Sequence, residues 1–157
     1  MKTGKKSALR IVLCIAVIFL LLNAGWYGWR TVRYGAFTKG MEQNDLGTWI
    51  VPRYLHTDAD GYDYSVKYPD YLSVTGNLSV GLPAEDDNPF TDFLVIWPKV
   101  FGGYEYGISL TEGETNYQIY IHADGSAVDP RQREIAERNK ETIEDLLQKA
   151  DAMWDIR

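Results

Sequence analysis

The chain has 157 residues with 22 acidic, 16 basic and two histidine side chains, one cysteine and a formal net charge of −6. All 22 acidic residues lie after position 33, where only ten basic residues occur, so that part carries a formal charge of −12. Such an acidic body argues against nucleic acid and anionic lipid surfaces as partners, because both select basic patches.

The first thirty residues hold the strongest signal. Lys2, Lys5, Lys6 and Arg10 precede an apolar run from Ile11 to Leu22, followed by Asn23, Ala24, Trp26, Tyr27 and Trp29. Two readings fit. A secretory signal peptide has a basic start, a short apolar region and a small residue before the cut, here near Ala24. Leu22 is large for its place in that pattern. A membrane anchor needs ~20 mostly apolar residues, and Ala8 to Trp29 supplies them. The aromatic cluster would then sit at headgroup level, with the basic N-terminus retained in the cytoplasm. The anchor explains more of the pattern, and both readings place the remainder outside the cytoplasm. Cys14 lies inside the apolar run behind Leu13, which does not suit a lipoprotein signal. With no cysteine downstream, the remainder must hold itself together by its core, and about 120 residues suffice for one domain.

The expected organisation is a cytoplasmic tail and anchor over 1–29, a juxtamembrane linker over 30–45 and an extracytoplasmic domain over 46–157. Gly35 and Gly40 oppose a stable helix through the linker. Leu46 to Leu55 reads as a short edge strand ended by Pro52, and residues 56–61 as a turn. Tyr62, Tyr64, Val66 and Tyr68 alternate with polar residues, which predicts a half-buried strand. Leu72, Val74, Leu78 and Val80 share one parity and predict one long strand over 72–82, bulged at Gly76. A hairpin turn at Gly76-Asn77 is the alternative, but it would mix polar and apolar residues on each face. Pro83 to Thr91 is an acidic loop. Phe93 to Trp97 is a continuous apolar run, expected as a central strand buried on both faces. Tyr104 to Leu110 and Tyr117 to His122 alternate around a hairpin loop at 111–114, and Ser126 to Val128 reads as a short last strand. Asp129 caps a C-terminal helix with Pro130 in its first turn. Ile135, Ile143, Leu146, Leu147, Ala150, Met153 and Trp154 form its apolar stripe. Glu134 with Arg138 and Asp145 with Lys149 are expected as ion pairs on the polar side. The fold class is α+β: an antiparallel meander with a C-terminal amphipathic helix packed on one face, preceded by a transmembrane helix.

No catalytic motif survives inspection. Setting Gly61 as the sixth position of a calcium loop puts His56 first and Lys67 twelfth, wrong ligands for a hard cation. Asp58 and Asp60 therefore read as turn residues. His56 and His122 are too isolated for a zinc site, so no metal and no cofactor is expected. There is no nucleophile elbow and no phosphate-binding loop. Asn77-Leu-Ser79 matches a glycosylation sequon, a weak pattern inside a strand. Eleven tyrosines and five tryptophans are the compositional oddity, and most tyrosines fall on the apolar parity of strands. Tyr120 and His122 fall on the other parity with Gln118. Together with Glu105 on the adjacent strand they form the expected binding face, left open by the helix. Aromatic rings beside hydrogen-bonding groups suit sugars or peptides.

The segments Tyr71 to Leu78 and Trp97 to Gly107 resemble small membrane-anchored, uncharacterised extracytoplasmic proteins of Gram-positive bacteria, over about Tyr62 to Trp154. The resemblance implies location and a single domain, and brings no activity and no catalytic residue. The functional expectation is a membrane-tethered binding module of the cell envelope, with an envelope protein or glycan as partner. The rivals are a small carboxylate-dependent enzyme acting on envelope glycan or peptide, and a structural subunit docking its helix stripe on a membrane complex.

Overall fold

The computed structural model describes residues 3–45, 47–82 and 91–156. The chain divides into two compact units, Met1–Ala36 and Phe37–Arg157.

The first unit is one helix, α1, Thr3–Gly35. Its segment Ala8–Gly35 is apolar over 28 residues, about 42 Å at the helical rise, more than the ~30 Å of a bilayer core. By length and composition this helix is able to cross a membrane. Near its C-terminal end the Arg30 guanidinium lies 4.6 Å from the ring centroids of both Trp26 and Tyr27. The helix runs on through Arg30–Gly35, and Gly40 adopts a positive φ of 76° shortly after it.

The second unit is a seven-stranded antiparallel sheet in strict sequence order. The strands are β1 Glu42–Asn44, β2 Arg53–Thr57, β3 Asp63–Lys67, β4 Asn77–Gly81, β5 Phe93–Pro98, β6 Tyr104–Glu112 and β7 Thr115–Ile121. One face carries Tyr64, Val66, Leu78, Val80, Leu94, Ile96, Tyr106, Ile108, Ile119 and Ile121, all buried. They meet across the ladder in register: Val66 with Leu78, Leu78 with Ile96, Leu94 with Ile108, and Ile108 with Ile119. This face packs under α3, Lys140–Trp154, which lies against β4 and β5 and buries Ile143, Leu146, Leu147, Ala150 and Trp154. The α+β meander with its helix on one face is therefore the fold.

Several local expectations are corrected. The strand expected over 46–55 does not form around Trp49; Trp49 is exposed, and the strand begins after Pro52, whose missing donor suits a position outside the ladder. Glu42–Asn44, in the stretch read as a linker, supplies the edge strand instead. The long strand over 72–82 exists only as β4. Its partner β3 ends at Lys67, opposite Asn77, so Leu72 and Val74 have no neighbour to pair with. They lie in a connection where the Ser73 N–H donates to Asp70 O at 2.8 Å and Leu72 takes a φ of 58°. No hairpin turn forms at Gly76-Asn77 either. β5 is central, as expected, but Leu94, Ile96 and Pro98 are buried on one side, while Phe93, Val95 and Trp97 face the open side. The last strand shrinks to a single bridge between Ile121 and Ala127. The β6–β7 turn is tighter than expected, since Glu112 still pairs with Thr115. The acidic loop lies largely outside the described residues.

The C-terminal helix is interrupted. Asp129 caps a 3-10 turn, Pro130–Gln132, by accepting from the Arg131 N–H at 3.0 Å. α2, Arg133–Arg138, follows and ends at Asn139. The Asn139 amide donates to Ile135 O at 2.9 Å and to Glu112 Oε1 at 2.8 Å, which breaks the helix and ties it to the end of β6. Of the two expected ion pairs, Glu134–Arg138 forms at 3.0 Å. Asp145–Lys149 does not: Asp145 accepts from the Tyr62 hydroxyl at 2.6 Å, and Lys149 reaches Asp60 at 2.5 Å and Asp58 at 3.7 Å.

Candidate functional site

The face opposite α3 follows from strand parity. Residues offset by one from the core set point away from the helix. Across β4 to β7 they form two rows: Ser79, Val95, Gly107 and Tyr120, and Gly81, Phe93, Ser109 and Gln118. Two of these positions are glycines beside aromatic side chains. A Cβ built on Gly107 would lie 2.8 Å from the Trp97 ring, so the indole rests directly on the backbone there. A Cβ on Gly81 would lie 2.6 Å from Phe93 Cβ. A glycine inside a strand marks such a close approach. The missing side chain at Gly107 opens a groove of about 290 Å³, lined mainly by Phe93, Val95, Trp97, Gly107, Gln118 and Tyr120.

The groove has an aromatic wall and a polar floor. Trp97 and Tyr120 approach to 5.9 Å between centroids at an interplanar angle of 40°. Tyr120, the last residue but one of β7, is 60 % exposed. Ser109 is buried at the floor and receives a hydrogen bond from the Asn116 amide at 2.8 Å. The Asp92 carboxylate accepts from the Thr111 N–H at 2.7 Å, fixing the entry to β5 against β6.

The four residues expected on the open face divide between two neighbouring hollows. Gln118 and Tyr120 line the groove. Glu105, Tyr120 and His122 line a second, more polar hollow of about 410 Å³ with Lys99. Lys99 and Glu105 form an ion pair at 3.2 Å. Tyr120 thus belongs to both. Sequence reasoning missed Phe93, Val95, Trp97 and Gly107, because a continuous apolar run reads as buried on both faces. The available signal was Gly107, a mid-strand glycine on the parity of Glu105 and Ser109.

The carboxylates of the β2–β3 turn are held by hydrogen bonds and by Lys149. Asp58 Oδ1 accepts from the N–H groups of Asp60 and Tyr62, both at 2.9 Å, and Oδ2 accepts from the Tyr64 hydroxyl at 3.0 Å. Burial alone would raise the Asp58 carboxyl; these hydrogen bonds and the Lys149 charge outweigh it and hold the group below its ordinary value. Burial, with the hydrogen bond to Asp58, pushes the Tyr64 phenol well up. The stretch 58–62 is therefore a turn between β2 and β3, whose Asp58 and Asp60 carboxylates face Lys149 and, for Asp58, the Tyr64 hydroxyl. Among the described residues no group of three or more His, Cys, Asp or Glu side chains is arranged to hold a metal ion. No family model, no curated protein and no solved structure matches this chain.

Proposed function

We propose that the chain is a membrane-tethered module of the cell envelope that binds glycan on the open face of its sheet. In this reading α1 stays in the bilayer with Lys2, Lys5, Lys6 and Arg10 on the cytoplasmic side, following the distribution of basic residues around the apolar run. The Phe37–Arg157 unit stands outside. The observation that carries the binding reading is the Trp97–Tyr120 pair at the wall of an apolar groove otherwise bordered by Gln118 and Ser109, with the Lys99–Glu105 pair in the neighbouring hollow that shares Tyr120. Aromatic faces stack on the apolar faces of sugar rings, and an amide and charged rim groups satisfy hydroxyls. Among the described residues no carboxylate lines the groove, which favours binding over hydrolysis there. The helix stripe is occupied by the domain's own sheet, which removes the motive for a docking subunit.

The test uses the full chain in detergent or lipid nanodiscs, sedimented with purified envelope glycan. Wild type should pellet with the glycan, while Trp97→Ala and Tyr120→Ala should stay in solution. Equal pelleting of all three, or none for the wild type, would overturn the glycan reading. The tether is tested by mass spectrometry of the native protein, where a chain starting at Gly25 would refute a retained anchor.

A further inference from the structure

We propose that the open face takes an internal stretch of a linear glycan laid across the strands, an inference that rests on the glycan reading above and says how the polymer runs. The register places one residue of each strand in a single row on that face. Leu55 stands beside Glu42 and Ser65, and Ser65 beside Ser79. The row continues through Val95 and Gly107 to Tyr120. It crosses all seven strands, and six interstrand spacings of ~4.8 Å make it ~29 Å long, room for several sugar rings end to end.

The row is low in its middle and meets a hollow toward each end. Ser65, Ser79 and Gly107 carry short side chains or none. Val95, Gly107 and Tyr120 belong to the aromatic groove already described. At the other end Glu42 and Leu55 help to line an open hollow of about 660 Å³ over β1 and β2, with Asn44 and Thr57 on the same parity.

The chemistry along the row suits a repeating polymer of hydroxylated rings. The Trp97–Tyr120 pair gives one end a stacking platform, and Leu55 gives the other an exposed apolar contact. Between them the Ser65 and Ser79 hydroxyls are able both to donate and to accept. Along one flank Arg53, Lys67 and Asn77 lie in register and add N–H donors. Neither end of the row is walled off. Glu42 is exposed on one edge strand and Tyr120 on the other, so a chain is able to run off both edges and its termini are not what is read. An extended peptide fits less well, because it draws affinity from backbone groups at a sheet edge, and the middle of a sheet face offers side chains instead.

The experiment uses the full chain in detergent. Sedimentation with intact purified envelope glycan reports the glycan reading by itself. Soluble fragments of that glycan, separated into disaccharides and longer chains, are then titrated by calorimetry. The longer chains should bind at least ~10-fold more tightly, since the row beyond the groove adds further hydrogen bonds. Reducing their terminal sugar to an alditol should leave that affinity unchanged. Ser65→Val combined with Ser79→Val should bring the longer chains down to the level of the disaccharides and leave the disaccharides as they were. Leu55→Ser, an exposed position at the far end of the row, should weaken the longer chains alone, and it decides the matter if the double variant does not fold. In a wild type that pellets with intact glycan, three results would overturn the inference and leave the glycan reading standing: equal affinity for short and long fragments, loss of binding on end reduction, or folded row variants that bind long chains like the wild type. A wild type that does not pellet would overturn both.

Discussion

Replacing Leu146 by alanine tests whether α3 belongs to the fold. Leu146 is 2 % exposed on the face of α3 that meets β4 and β5, among Ile143, Leu147 and Ala150. Leu→Ala at such a site removes buried apolar volume and leaves a cavity, with a cost of ~2–5 kcal/mol depending on how far the neighbours close. The site is walled by a sheet whose partners are in register, so collapse is restricted and ~3 kcal/mol is the expected figure. For a domain of this size each kcal/mol moves the melting temperature by about 3–5 °C, so the variant should melt ~10–15 °C lower. The assay is thermal unfolding of the full chain followed by near-ultraviolet circular dichroism, which reads the packing of aromatic side chains and not the helical backbone of α1. Gln148→Ala, an exposed position on the same helix, should shift by less than ~0.5 kcal/mol and serves as the reference. If Leu146→Ala melts with the wild type, the stripe is not core and the packing argument fails.

Two further outcomes follow from the groove and the β2–β3 turn. Gly107→Val should displace the Trp97 indole, since even a Cβ there would lie 2.8 Å from the ring, and should abolish glycan co-sedimentation at a stability cost of ~1–3 kcal/mol; undiminished binding would move the site off this groove. The lowered Asp58 carboxyl contributes stability that is present above its ordinary value of 3.8 and lost as the pH falls through the folded-state value. Asp58→Asn should therefore flatten the melting temperature between pH 5 and 2 relative to wild type. A variant whose acid limb stays parallel to that of the wild type would show that the Asp58 network carries no pH dependence.

The sequence reveals elements where periodicity and partner length agree. Tyr64 and Val66, Ile108 and Leu110, and Ile119 and Ile121 alternate inside strands that find equal partners, so their burial is readable from parity. Leu72 and Val74 alternate just as well, yet β3 is too short to reach them, and pairing depends on a segment ten residues away. The break at Asn139 has the same origin. Nothing in residues 130–154 interrupts the helical stripe, and the interruption comes from Glu112 at the end of β6. Lys149 similarly leaves its expected partner Asp145 because the β2–β3 turn brings Asp60 closer. For the open face, the polar members Gln118 and Tyr120 were legible from parity. Trp97 was not, because an apolar strand residue looks the same whether it faces a helix or a ligand.

The strand order also sets how the domain assembles. Every strand pairs with its neighbour in sequence, so the sheet is able to grow one hairpin at a time with short loops to close. Its inner face stays wet through all seven strands, because α3 comes last. When Trp154 arrives, its Nε1–H donates to the carbonyl of Phe37 at 3.1 Å and its ring meets Tyr64 edge-on at 5.7 Å. A single side chain thus clasps the start of the domain to its final helix, and assembly has a definite last step. Any chain halted before that step presents a greasy half-sheet with nothing to cover it, the state most open to aggregation or degradation.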